Sequence, residues 1–295
     1  MLRRNIFSIL FITSLVLAGE GDLDDSFGTN GKVIRDLTTN LDYSGDFYAV
    51  EMQPDGKIVV AGTDQNGNQT VVIRYNSDGS SDETFGSDGV VILSQLRNVW
   101  GDNDIAIQSD GKIIVTGRVY QYTGSGKIAV ARLNVDGDLD STFGSDGISI
   151  VTVSESWSTV RAGDVMVQSD GKILVCGESN SDFFLFRLNE DGNLDTSFDD
   201  DGLTIVGNIR GGGWPLPTDK ARSMDIQSDG KILVTGYSWG SYGNSSETDF
   251  LTARFNTDGS LDEDFSVEDS KVNVKGFIRT NIQGNDEAKS IKVLP

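Results

Sequence analysis

The 295 residues predict an all-β fold in which one four-stranded antiparallel unit is written repeatedly, and three observations carry that expectation. Asp outnumbers Glu 35 to 10, and Gly reaches 35 while Pro stops at 4, a balance of turn formers over helix formers. Apolar residues fall in short Val- and Ile-rich runs bounded by Gly and Asp. Two signatures alternate along the chain.

The first signature reads QPDGKIVVAG from Gln53, QSDGKIIVTG from Gln108, QSDGKILVCG from Gln168 and QSDGKILVTG from Gln227, at spacings of 55, 60 and 59 residues. The second reads RYNSDGSSDETFGSDG from Arg74, RLNVDGDLDSTFGSDG from Arg132, RLNEDGNLDTSFDDDG from Arg187 and RFNTDGSLDEDFSVED from Arg254. Its tail alone, GDLDDSFGTNG, starts at Gly21. In the second unit the strand-like runs are Val90 to Leu93, Asp104 to Gln108, Lys112 to Gly117 and Ile128 to Leu133. Between the second and third runs, Ser-Asp-Gly is a hairpin turn with Gly free to take positive φ.

Four antiparallel strands in roughly 58 residues, repeated, are the sequence form of a β-propeller blade; a β-solenoid has shorter coils and needs no hairpin at every step. The count is four complete repeats plus a partial fifth, in which Lys271 to Ile278 and Lys289 to Pro295 resemble first and second strands. The propeller domain, residues 19–295, is therefore expected to be incomplete at its C-terminus and to end in an unpaired sheet edge. The fourth unit departs from the pattern, reading DFSVEDSKV where FGxxGxV is expected, so its outgoing turn should be rebuilt.

These paired signatures resemble the delta-60 repeat, a unit of roughly sixty residues in predicted secreted bacterial proteins. The resemblance runs from about Gly21 to Pro295 and implies a β-propeller and export. It supplies no catalytic residue.

The N-terminus has a different composition. Arg3 and Arg4 precede thirteen mostly apolar residues, Ile6 to Ala18, with Val16 and Ala18 as the small residues before Gly19. That run is too short to span a bilayer comfortably and fits a signal peptide over residues 1–18. The expected location is secreted or cell-surface, with no integral membrane segment after cleavage.

Charge and composition remove several kinds of chemistry. With no histidine, a Ser-His-Asp triad or a His-containing zinc site cannot be built. A formal charge of -21 argues against nucleic acid as a partner. Cys176 is the single cysteine and fills a slot taken by Ala61, Thr116 and Thr235 in the other units, which marks it as a packing residue. The recurrent Phe85, Phe143, Phe198 and Phe265 are expected to plug the spaces between blades.

The N-x-D-G-x-x-D turn offers Asn76, Asp78 and Asp82 as calcium ligands, but an acid belongs two positions before that Asn, and Arg74, Arg132, Arg187 and Arg254 stand there. Asp-Gly is therefore read as turn chemistry, with Arg pairing a turn carboxylate, and no cofactor is expected. No catalytic constellation stands out, so an enzyme is not expected.

Strand geometry places candidate ligand contacts instead. The two Asp-Gly signatures emerge on one face of the ring, and the variable loops on the other. All four tryptophans, Trp100, Trp157, Trp214 and Trp239, fall in the variable loops, joined by Tyr43, Tyr120, Tyr122, Tyr237 and Tyr242. Exposed aromatics amid Gly, Ser and Asn suit stacking on a glycan or anchoring an envelope or extracellular protein. The expected function is a secreted or cell-surface binding scaffold. The alternatives are a carboxylate-based polysaccharide hydrolase or lyase and a calcium-stiffened surface protein.

Overall fold

The computed structural model describes residues 22–34, 46–63, 69–97, 104–119, 125–155, 160–180, 182–207, 218–242, 245–266, 275–281 and 284–294, with backbone alone at 240–242 and 245–247. Seventeen strands form four antiparallel sheets among these residues, and no helix is present there. The first sheet is β1 (Phe47–Met52), β2 (Ile58–Thr63), β3 (Thr70–Tyr75) and β4 (Val90–Leu93), in that order. In the second, β5 (Leu96–Arg97) and β6 (Ile105–Ile107) share one edge of β7 (Ile113–Val119), followed by β8 (Gly126–Leu133) and β9 (Ile148–Ser154). The third is β10 (Val160–Val167), β11 (Ile173–Ser179), β12 (Asp182–Leu188) and β13 (Leu203–Val206). The fourth is β14 (Thr218–Ile226), β15 (Ile232–Tyr242), β16 (Ser245–Phe255) and β17 (Phe277–Thr280).

Each sheet is a blade, and the chain is an all-β propeller as the repeats predict. Blade and repeat unit are offset by one strand, however. Val90 to Leu93, expected to open the second blade, pairs with β3 and closes the first. The cause is connection length: only the Phe-containing turn lies between β3 and β4, so β4 folds back onto its immediate predecessor. By the same offset, Phe277–Thr280 completes the fourth blade on β16. The expected unpaired edge from Lys271 is thus corrected at that strand.

The hairpin turns follow from the Asp-Gly pairs. Gly56, Gly111, Gly171 and Gly230 all adopt φ near +84°, a conformation that a side chain strains. Strands β2, β3 and β11 are buried along their whole length because neighbouring elements cover both faces, which explains continuous apolar runs where a one-sided sheet would alternate. Outer strand β13 is partly exposed and leaves Ile205 in solvent.

Three apolar cores fill the junctions between blades, sealed by Phe85, Phe143 and Phe198, each 0% exposed. Every plug is held from both sides. Its own blade stacks an Arg guanidinium on the ring, at 4.5 Å for Arg74–Phe85, 4.6 Å for Arg132–Phe143 and 4.4 Å for Arg187–Phe198. The next blade brings its Asp-Gly turn against the other side, so close that a Cβ on Gly192 would lie 3.0 Å from Phe143 and 2.8 Å from the Gly144 amide.

The same Arg closes the junction by hydrogen bonding. Arg74, Arg132 and Arg187 donate Nη1 to the carbonyls of Val135, Glu190 and Thr257 in the next blade. Their Nε–H groups bind Asp82, Asp140 and Asp195 at 2.6–2.8 Å. The Lys of the D-G-K turn joins the same carboxylate: Lys57 at 2.9 Å, Lys112 at 3.4 Å and Lys172 at 2.7 Å. Main-chain bonds of 2.7 Å from the residue after each Phe complete the clasp, Gly86 N–H to Asp136, Gly144 to Asp191 and Asp199 to Asp258. Gly28, after Phe27, makes the equivalent bond to Asp78. Both sequence signatures are therefore halves of one device that joins blades.

In the fourth unit Phe265 still stacks on Arg254, at 4.5 Å, but is only half-buried. Gly276 accepts the Arg254 amide at 3.1 Å, the role Gly89, Gly147 and Gly202 play in the other units. A longer turn thus ends in the same bond; residues 267–274 lie outside the described set.

Candidate functional site

Beside the propeller axis, the inner strands carry a second repeated device. Each of β1, β10 and β14 breaks register once, at Tyr48, Gly163 and Arg222, a bulge that re-aims the side chain that follows. The residues after that point are Ala49, Asp164 and Ser223; Asp104, just before β6, holds the same repeat position. Asp104 Oδ2 accepts the Val165 amide at 2.9 Å, and Asp164 Oδ2 accepts the Met224 amide at 2.7 Å. Ser223 Oγ accepts the Ile291 amide at 3.3 Å. Residues 290–294 therefore continue the inner-strand series on the far side of β14, where the sequence places a second strand.

Asp104 and Asp164 also lie close enough to shift each other's ionisation. Burial pushes the Asp104 carboxyl well up, and the charge and hydrogen bond of Asp164 push it further. Burial raises Asp164 as well, while the bond from Asp104 and the Met224 amide pull it down. Both carboxyls therefore hold their protons more tightly than a free Asp does. Burial also raises Glu51 on β1, against the pull of a backbone amide; Asp164 adds to the rise and Lys292 opposes it. Buried Cys176 lies near both acids, and its thiol is pushed well up, chiefly by burial, so it is no nucleophile at neutral pH.

This pair is what the sequence reading missed among so many carboxylates. The available signal was positional: only these two units have Asp four residues before the Gln of Q-x-D-G-K, where the others have Ala49 and Ser223. Chemically the pair is a stitch. Each lends a carboxylate oxygen to a main-chain amide of the next inner strand.

On the loop face, the described residues include two of the nine predicted aromatic contacts with side chains. Tyr237 is 9% exposed, covered by Lys220 at 5.9 Å and Arg222 at 5.5 Å from its ring, and its hydroxyl accepts a bond from Arg222. The expectation that Tyr237 is an exposed platform is corrected: two cations occupy its faces. Trp239 is half-buried on β15, opposite Thr218 and Thr248. Tyr242 ends β15 as backbone alone, and Trp100, Trp157, Trp214, Tyr43, Tyr120 and Tyr122 lie outside the described residues. A charged cluster unforeseen from sequence stands nearby, with Glu178 bound by Arg161 and Lys220, each at 3.3 Å.

The turn face holds a cleft of about 780 Å³ between the second and third blades and another of about 530 Å³ between the first and second. Arg132, Thr142 and Lys112 line one, and Arg74, Thr84 and Lys57 the other. These are clasp residues already bonded within the chain, so the clefts are a consequence of joining blades. Among the described residues no group of three or more His, Cys, Asp or Glu could hold a metal ion, and no helix is long and apolar enough to cross a membrane.

A family model described as a β-propeller domain of unknown function, DUF5122, matches residues 53–85, 108–143, 168–198 and 227–265. Each match runs from the Gln of the first signature to the plugging Phe, so it covers the residues that build the clasp. The chain is a β-propeller repeat protein. Among solved structures it is similar to an endo-arabinase from Bacteroides thetaiotaomicron VPI-5482, at 10% identity and TM-score 0.46 over 78% of this chain and 81% of that one. An exo-1,5-α-L-arabinanase from a bovine ruminal metagenomic library gives 10% identity and TM-score 0.43 over 81% and 80%. Likeness at that level carries no argument about activity. No curated protein matches the sequence.

Proposed function

We propose that the protein is a secreted or cell-surface scaffold that binds a glycan or an extracellular protein through its variable loop face. The observation that carries this reading is a division between the two faces. On the turn face the recurring Arg, Lys, Asp and Phe side chains are engaged in clasps, which leaves the repeats no freedom to diverge there. On the loop face the units differ, and half-buried Trp239 lies two residues along β15 from Tyr237, whose ring Lys220 and Arg222 cover. Stacking on an aromatic ring suits an oligosaccharide. Binding of the full chain to an immobilised glycan panel, compared with Trp239→Ala, tests this. A binder that loses its signal with its melting temperature unchanged supports the reading, and undiminished binding overturns it.

A second reading, acid–base chemistry on polysaccharide, is favoured by the raised carboxyls of Asp104 and Asp164. Sugar release by the wild type that is lost in Asp164→Asn would favour this second reading. Export is tested by N-terminal sequencing of protein from the native envelope or medium, where a start at Gly19 or Glu20 is expected.

A further inference from the structure

We infer that the side of the propeller between the fourth blade and the first is a socket for one more repeat hairpin, bearing this chain's own D-G-K and R-x-N-x-D-G chemistry. Three observations converge there. The fourth clasp is open: the Arg254 side chain is 23% exposed, against 5%, 7% and 9% for Arg74, Arg132 and Arg187. Its plug, Phe265, is half-buried where its counterparts are fully buried. On the first blade, Val50 is 45% and Met52 58% exposed, although Ile105, Val165 and Met224, the repeat counterparts of Val50, are buried against a preceding blade.

The third observation is the segment 290–294. It is seated on β14 through the Ile291 bond to Ser223 and a 2.7 Å bond from the Val293 amide to Asp225. No strand among the described residues pairs with it. Because amides alternate along an extended chain, those of Lys292 and Leu294 face the other edge, as those of an inner strand face its hairpin.

The occupant must offer a turn carbonyl to Arg254, a positive-φ glycine to lie flat on Phe265, and a strand pair with apolar residues toward Val50 and Met52. An N-x-D-G turn behind a D-G-K hairpin meets all three needs and continues the interface already seen at the other junctions. In a second folded copy each such turn is already engaged, the carbonyls of Asp78, Asp136, Asp191 and Asp258 accepting amides within the chain.

A synthetic peptide with the sequence of residues 168–195, which carries both middle strands and the N-E-D-G turn, supplies the test when titrated into the full chain. Saturable one-to-one binding is expected, with a melting temperature that rises with peptide concentration. Binding should weaken at least tenfold for the Arg254→Ala protein and for the peptide carrying Gly192→Val, whose Cβ cannot approach the ring. The peptide variant leaves the protein untouched, so misfolding cannot imitate the result. Absence of saturable binding, or equal affinity in every combination, overturns the inference. So does a peptide-independent dimer that protects Met52 from oxidation, which assigns the face to a second copy.

Discussion

At the rim, Asp140 receives Arg132, Lys112 and Thr142; beside the axis, Asp104 and Asp164 receive backbone amides. Both settings are largely enclosed, so burial alone would raise every one of these carboxyls. At the rim the hydrogen bonds and cations overcome it, holding Asp140 at about 2 and Asp82 and Asp195 lower still. At the axis burial prevails and both carboxyls are raised. The same residue type therefore joins blades as a carboxylate held down by cations in one place and as a carboxyl raised by burial in the other. What differs is whether a cation was supplied with it.

The largest effects should come from breaking the rim. Arg132→Ala leaves the buried Asp140 with only the more distant Lys112 as a cation and Phe143 without its cover, at a cost of about 3 kcal/mol. Arg254→Ala, at the half-exposed fourth clasp, should cost about 1 kcal/mol or less. Urea unfolding of both variants measures the ratio, and equal losses would show that the clasps do not draw their strength from enclosure. Gly137 sharpens the point. Its φ is +94°, and a Cβ there would lie 2.9 Å from the Gly86 amide and 3.1 Å from Phe85. At Gly56, with φ +84°, the nearest atom is the Ser77 Cβ at 3.5 Å. Gly56→Ala should cost about 1–2 kcal/mol from backbone strain alone, and Gly137→Ala roughly twice that.

Acid titration separates rim from axis by sign. The folded values of Asp82, Asp140 and Asp195 lie below the ordinary 3.8, so their stabilisation is complete above about pH 4 and is lost as pH falls toward 2. Asp104 lies above 3.8, so the folded state holds the extra proton and stability falls as pH rises through its folded value. Asp104→Asn keeps a donor for Asp164 and an acceptor for the Val165 amide while removing the titration. It should raise the melting temperature at pH 7 and leave it unchanged near pH 4. A loss at pH 7 equal to that of Asp104→Ala would show that the Asp104 carboxyl is not raised in the folded state.

Rim and axis were unequally legible in the sequence. The clasp announces itself because every unit spends the same residues on it, so Arg74, Asp82 and Phe85 could be grouped before any pairing was known. Even so, the partner of Arg74 in the next blade, the Val135 carbonyl, leaves no trace, because a main-chain acceptor can sit under any side chain. The offset between repeat and blade was hidden for a related reason: periodicity fixes the period but not the phase. The axial acids were obscured because their position reads Ala, Asp, Asp and Ser, and the amides they bind carry no sequence signal. Among the aromatics, Tyr237 was misjudged because Lys220 and Arg222, which cover it, are brought in by an adjacent strand.

A third set of carboxylates, in the turns, should give the smallest effect. Calcium would need Asn76, Asp78 and Asp82 to turn their oxygens on one point, but each is already committed. Asp78 Oδ1 accepts the Ser80 amide at 2.9 Å and its hydroxyl at 2.6 Å, and the Asp78 carbonyl accepts Gly28. Asn76 Oδ1 accepts Lys57 Nζ at 3.2 Å, and that same ammonium lies 2.9 Å from Asp82. The cation place is thus filled by Lys57 and Arg74, whose charges a calcium ion would have to displace. Asp136, Asp191 and Asp258 likewise accept the amides of Asp138, Asn193 and Ser260. Scanning calorimetry with millimolar calcium or with chelator should give the same melting temperature for the wild type. Changing Asp78, Asp136, Asp191 and Asp258 together to Asn, which keeps the turn acceptor, should lower it by only a few degrees in either condition. A calcium-dependent rise that vanishes in the fourfold variant would mean that the turn carboxylates, unlike those of rim and axis, had been waiting for an external cation.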